Sequence, residues 1–172
     1  MKESNRVLFK KTSKKTSWRE VFIPKTPNVL FLPYEKNSSE FCAQCEGECV
    51  SVCEEKIIIK QKGAIPYLDF QSNGCIFCKK CAQICEEYHE EEGVLDSSLE
   101  DKILGRAEIM ELSCFAYQGV ICSSCKDICN GSIKFAGMFY PHVLETCTGC
   151  GLCISRCPQG SIQVIALKDK KS

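Results

Sequence analysis

An α+β fold, with a basic N-terminal arm ahead of two tandem copies of one small module of short β-hairpins and short helices, is predicted by three features of the 172-residue sequence. All 16 cysteines fall into four runs of four, with none left over. Runs one and two are 21 residues apart and runs three and four are 17 apart, and each interval has the make-up of a single hairpin. Runs two and three are 28 residues apart, with helical periodicity between them, which assigns them to different copies.

Residues 1–40 form the arm. Nine Lys or Arg stand there against four Glu. Lys10, Lys11, Lys14 and Lys15 sit among Ser and Thr without apolar periodicity, and Pro24, Pro27 and Pro33 punctuate the rest. Trp18, Phe22, Ile23, Leu30, Phe31 and Tyr34 supply apolar anchors that a plain spacer lacks, which predicts a partner-docking element. Residues 41–96 form the first copy, where 57–60 and 65–70 flank a turn at Lys62 and Gly63. Residues 97–113 predict a linking helix. Ser97 and Glu100 fit a capping box, and Leu99, Ile103, Ala107 and Met110 recur at spacings of four, four and three. Residues 114–167 form the second copy, with strands at 133–135 and 139–143 around Gly137 and a closing strand at 161–167. Residues 168–172 are a tail.

The runs carry the chemistry. Cys147, Cys150, Cys153 and Cys157, followed by Pro158, have the spacing CxxCxxCxxxCP of the bacterial ferredoxin run that holds [4Fe–4S] cubanes. Cys75, Cys78, Cys81 and Cys85 have the same spacing without the proline. The fold class is therefore two tandem bacterial two-[4Fe–4S] ferredoxin-like modules. In such proteins the fourth cysteine of each run serves the other cluster. Applied to the first module, one cluster takes Cys42, Cys45, Cys49 and Cys85, and its partner takes Cys75, Cys78, Cys81 and Cys53. In the second, one takes Cys114, Cys122, Cys125 and Cys157, and the other Cys147, Cys150, Cys153 and Cys129.

Two runs depart from that spacing. Run one has three residues between Cys45 and Cys49, so Cys45, Cys49 and Cys53 would share a face of a regular helix, and a cubane needs the loop to bulge before the helix begins. Run three has seven residues between Cys114 and Cys122, a loop that reaches one cluster corner at some entropic cost. Lys79 and Lys80 put positive charge beside one cluster of the first module, whereas Glu46 and Glu48 flank its partner, which predicts the higher potential for the former.

Other chemistries fit less well. Structural zinc sites use two separated cysteine pairs, and CxxCxxCxxxC packs too many thiolates into one turn for that arrangement. A secreted disulfide scaffold needs an apolar leader, and residues 1–20 offer only Val7, Leu8 and Phe9. No apolar run approaches a membrane span. A cytoplasmic protein with reduced thiols is the expectation. The formal charge is zero, but four oxidised clusters with their thiolates would add roughly −8. Residues 41–172 already carry 18 acidic against 13 basic side chains, which argues against nucleic acid. His89 and His142 read as solvated or packed, and no phosphate loop or nucleophile constellation occurs, so electron handling rather than catalysis is expected.

With CxFCxxCAQxC (Cys75 to Cys85), AYQGVICSSCKDIC (Ala116 to Cys129) and CTGCGLCISRCP, the sequence resembles the NapF family of ferredoxin-type accessory proteins of periplasmic nitrate reductase systems, over roughly residues 41–165 and including the basic arm. The resemblance implies a cytoplasmic polyferredoxin that contacts the catalytic subunit NapA before export and helps insert or reduce that subunit's own cluster. A general electron carrier or electron-input subunit of another oxidoreductase, and a scaffold that donates clusters, are the alternatives.

Overall fold

The computed structural model describes residues 28–36, 39–89 and 93–167. Its elements are short, and the same order of pieces occurs twice. In the first half, 28–36 runs extended beside two later segments. Leu30 bridges Leu68 and Glu35 bridges Leu95, both antiparallel. Lys36 N–H donates to Val94 O at 2.9 Å and Asp96 N–H to Tyr34 O at 2.8 Å. Between them come a 3-10 turn at Ser39–Ala43, helix α1 (Glu48–Ser51), the hairpin of β1 (Ile58–Ile59) and β2 (Tyr67–Leu68), and helix α2 (Lys80–His89). In the second half, β3 (Gly105–Ile109) pairs antiparallel with β6 (Ile162–Ala166). These two enclose α3 (Ser124–Ile128), the hairpin of β4 (Ile133–Ala136) and β5 (Tyr140–Val143), and α4 (Leu152–Arg156).

Two small cores result. Leu30, Tyr34, Ile57, Leu68, Phe70, Ile103 and Val164 belong to the first, and Ala107, Ile133 and Ile162 to the second, with Ile154 packed against both. At roughly 1.5–3 kcal/mol for each fully buried large apolar side chain, cores this small leave much of the folding free energy to whatever the cysteines bind.

Both hairpins stand where the sequence places them, with shorter strands than expected in the first. The linking helix does not form. Residues 105–109 are a strand, because Gly105 and Ala107 face inward while Glu108 is exposed, the period of two that one buried sheet face demands. Gly105 also favours this outcome, since a Cβ there would lie 2.7 Å from both Leu30 Cδ2 and Val164 Cγ1. The capping box fails for a related reason: Ser97 N–H and Oγ bind the Glu86 carboxylate at 2.6 and 3.0 Å instead of opening a helix.

The arm is shorter than 40 residues. The anchors Leu30 and Tyr34 are buried, with Leu32 between them, so they are used by the core, and of the described anchors only Phe31 is exposed. The lysines at 10, 11, 14 and 15, with Trp18, Phe22 and Ile23, lie outside the described residues. Asn28 clips the start of the segment to β6, its Nδ2 donating to Val164 O and its Oδ1 accepting from Ala166 N–H, both at 2.6 Å. Among the described residues no helix is long and apolar enough to cross a membrane.

Candidate metal centre

The sixteen cysteines are all free thiols, and the fold gathers them in fours. Site I is a cavity lined by Cys42, Cys45, Cys49 and Cys85 with Leu32, Pro66 and Leu95. Site II has Cys53, Cys75, Cys78 and Cys81 with Tyr34, Ile57 and Leu68. Site III has Cys114, Cys122, Cys125 and Cys157 with Ile109, Phe135 and Pro141. The remaining four thiols are grouped as site IV: at Cys153 the charges of Cys150, Cys147 and Cys129 are felt most strongly, followed by that of Cys125 from site III. Each set draws three thiols from one run and the fourth from the other run of the same half.

The local backbone explains the grouping. In run four the chain curls around its thiols through Gly149 (φ 72°) and Gly151 (φ 76°). In run two the equivalent positions are Phe77 (φ 54°) and Lys79 (φ 64°), left-handed conformations that cost a residue with a side chain about 1–2 kcal/mol. Run two tolerates them because each side chain is held. The Phe77 ring meets Tyr34 edge-on, and Lys79 Nζ donates to Ser97 O at 2.9 Å and lies over the Tyr34 ring. Run one solves its extra residue with Gly47, whose φ of 94° turns the chain just before α1 and brings Cys45 back beside Cys49.

Only run four has proline after its last cysteine, and the others end differently. Lys56, at φ 55°, turns the chain after Cys53, and Gly131 does so after Cys129. After Cys85 there is no break, and α2 continues to His89. One turn beyond Cys85, His89 thereby reaches site I. Its Nε2 lies 3.4 Å from Cys45 Sγ and 3.7 Å from Glu48 Oε2, and the Cys45 thiol donates to that Glu48 oxygen at 3.0 Å. Sequence reading took His89 as solvated or packed. The available signal was its spacing of four from a ligand-type cysteine on a helix. His142 is exposed on β5.

The donor chemistry fits an iron–sulfur cluster. Burial pushes the Cys49, Cys81 and Cys153 thiols up to about 12, with the neighbouring thiolates adding to it, and the Cys42, Cys75 and Cys125 thiols up to about 11. Four crowded thiolates in an apolar cavity need compensating positive charge, which bound iron supplies. Backbone N–H groups of Gly47, Phe77 and Ser161 already point at Cys45, Cys75 and Cys157 Sγ, at 3.2, 3.4 and 3.2 Å. Such donors favour sulfur in its anionic form.

The charge contrast read from run two is weaker in the fold. Lys80 is paired with Glu54, and Lys79 lies 3.9 Å from the Asp101 carboxylate. The hydrogen bond from the Cys45 thiol, assisted by nearby His89, holds the Glu48 carboxyl below its ordinary range.

A family model described as a 4Fe-4S binding domain matches residues 140–163, the stretch holding Cys147, Cys150, Cys153 and Cys157. Among curated proteins, the ferredoxin-type protein NapF of Haemophilus influenzae is 31% identical over 149 residues, covering 81% of this chain and 80% of that protein. The ferredoxin-type protein NapF of Escherichia coli K12 is 31% identical over 147 residues, covering 80% and 85%. No solved structure matches the chain.

Proposed function

The chain belongs to the family of ferredoxin-type NapF proteins and binds [4Fe–4S] clusters, and on that premise we propose that it is a cytoplasmic polyferredoxin of two tandem modules. It holds up to four clusters, one each at sites I to IV, and acts in maturation of the nitrate reductase catalytic subunit NapA before export, by cluster insertion or reductive activation. The observation that supports this reading is that three apolar cavities are each lined by four cysteines drawn from two runs of one half.

Bound clusters supply one-electron transfer. The chain's own residues set its terms. Apolar walls such as Ile57 and Leu68 at site II and Phe135 and Ile162 at site III limit water around the thiolates. The N–H donors of Gly47, Phe77 and Ser161, and His89 at site I, stabilise charge on the cysteine sulfurs. No catalytic group is assigned.

The test is anaerobic co-purification of the cluster-loaded protein with NapA that has not yet been exported, using the full chain and a chain lacking residues 1–27. Truncation at 27 spares the buried Leu30, Leu32 and Tyr34, which truncation at 40 would remove. Binding that depends on residues 1–27 supports arm-mediated maturation. If neither form binds while iron content is intact, the general electron carrier becomes the better reading. Net transfer of clusters to a metal-free acceptor would favour the donor scaffold.

A further inference from the structure

We infer that the four sites form a single file in the order I, II, IV, III, and that electrons cross between the halves where the Cys75 loop abuts the Cys150 loop. The inference rests on the ligand sets proposed above. Within each half the links are helical. Cys49 and Cys53, Cys81 and Cys85, Cys125 and Cys129, and Cys153 and Cys157 are each four residues apart along or at the end of a helix. Each such pair gives one thiol to each site of its half across about 6 Å of helix rise. Sites I and II are therefore neighbours, as are III and IV.

Between the sites of the two halves, one loop from each meets the other. Cys75 N–H donates to Cys150 O at 2.7 Å, so a residue of site II is bonded through its backbone to a residue of site IV. The approach is close enough to exclude a side chain. A Cβ on Gly74 would lie 2.4 Å from Leu152 N and 2.7 Å from Cys150 O, both backbone atoms. A Cβ on Gly151 would lie 2.6 Å from the Phe70 ring. Cys150 is also among the thiolates whose charge is felt at Cys75. Sites I and III have no comparable contact with the opposite half among the described residues, so they are the ends of the file.

The step between neighbouring sites moves one electron and no atoms, one cluster losing the electron that the next gains. A low-potential one-electron donor fills the file at one end, and a one-electron acceptor empties it at the other.

The test uses the full chain carrying Cys42→Ala and Cys114→Ala, which removes a ligand from each end site and leaves the inner pair complete. After anaerobic reconstitution and reduction with dithionite, about eight irons per chain and an EPR spectrum broadened by spin–spin interaction are expected. The reciprocal chain, Cys53→Ala with Cys129→Ala, keeps the end sites and should give non-interacting spectra. About eight irons with non-interacting spectra from the inner pair would overturn the file while leaving the ligand sets standing. Interaction between the end sites would also overturn it. Iron well below eight in the inner-pair chain would overturn the ligand sets and the file with them.

Discussion

Replacing Gly74 with alanine tests whether sites II and IV are linked by the contact at Cys75. Gly74 has no left-handed backbone to strain, so the effect of the new methyl is steric alone. Its Cβ would meet Leu152 N at 2.4 Å and Gly151 C at 2.7 Å, and neither backbone atom can rotate away as a side chain would. Overpacking of this kind costs about 1–3 kcal/mol. Loss of the Cys75 to Cys150 hydrogen bond adds about 1 kcal/mol. Together they weaken the join by about 2–4 kcal/mol, which raises its open population roughly 30-fold to several hundredfold. Hydrogen exchange of the reconstituted protein, read by mass spectrometry on the peptide spanning Cys75, measures that population directly. The Cys75 amide should exchange faster by at least the lower factor. The Leu144 amide, bonded to Ser132 O at 2.8 Å within the second half, should not change. Unchanged protection at Cys75 would refute the contact as the join.

His89→Ala removes a hydrogen-bonding group from Cys45 and should lower the reduction potential of one cluster, with faster bleaching of that cluster in air; a redox titration showing identical potentials would count against the role given to His89. A chain lacking residues 1–40 loses the buried side chains of Leu30, Leu32, Pro33 and Tyr34, the large apolar ones worth roughly 1.5–3 kcal/mol each, and should fail to retain the first half's clusters, whereas one lacking 1–27 should keep its full iron and sulfide content. Cluster assembly strips protons from thiols, so it should become more favourable as pH rises. Because burial raises Cys49, Cys81 and Cys153 to about 12, assembly on a metal-free chain that keeps this fold should go on strengthening above pH 9 or so, the region where an unfolded chain would level off. Iron-binding titrations at a series of pH values distinguish the two, and a plateau near 9 would mean that the sites are not preformed.

What the sequence discloses depends on how local the cause is. The cysteine spacings dictate a loop and one helical turn, and three cavities are each lined by thiols from two runs. The hairpins follow from short apolar segments around Gly63 and Gly137, again within a few residues. β3 was not legible from helical periodicity. Leu99 and Met110, two members of the apparent stripe, are exposed, and the hydrogen bonds that make 105–109 a strand come from β6, more than 50 residues away. Its own alternation of Gly105, Arg106, Ala107 and Glu108 carried the better signal. Leu30 and Tyr34 misled in the opposite sense. Apolar groups in a basic, proline-marked stretch look like docking anchors until the segments of Leu68 and Asp96 are there to receive them. His89 was missed because α2 runs past its last cysteine, and the one sign in the run is that no proline follows Cys85.

The clip at Asn28 bears on the order in which the molecule can be made. Its partners, Val164 and Ala166, follow it by 136 and 138 residues, so the earliest described residue is fastened only after β6 has left the ribosome. Contacts of such long range are slow to close. The first half can gather its cysteines as soon as Leu95 is available to Glu35, well before β6 exists. Cluster loading can therefore begin on a nascent first half, while Asn28 is fixed only once β6 has been made. A partner that reads the surface around Asn28 would then recognise only chains in which β6 is already in place.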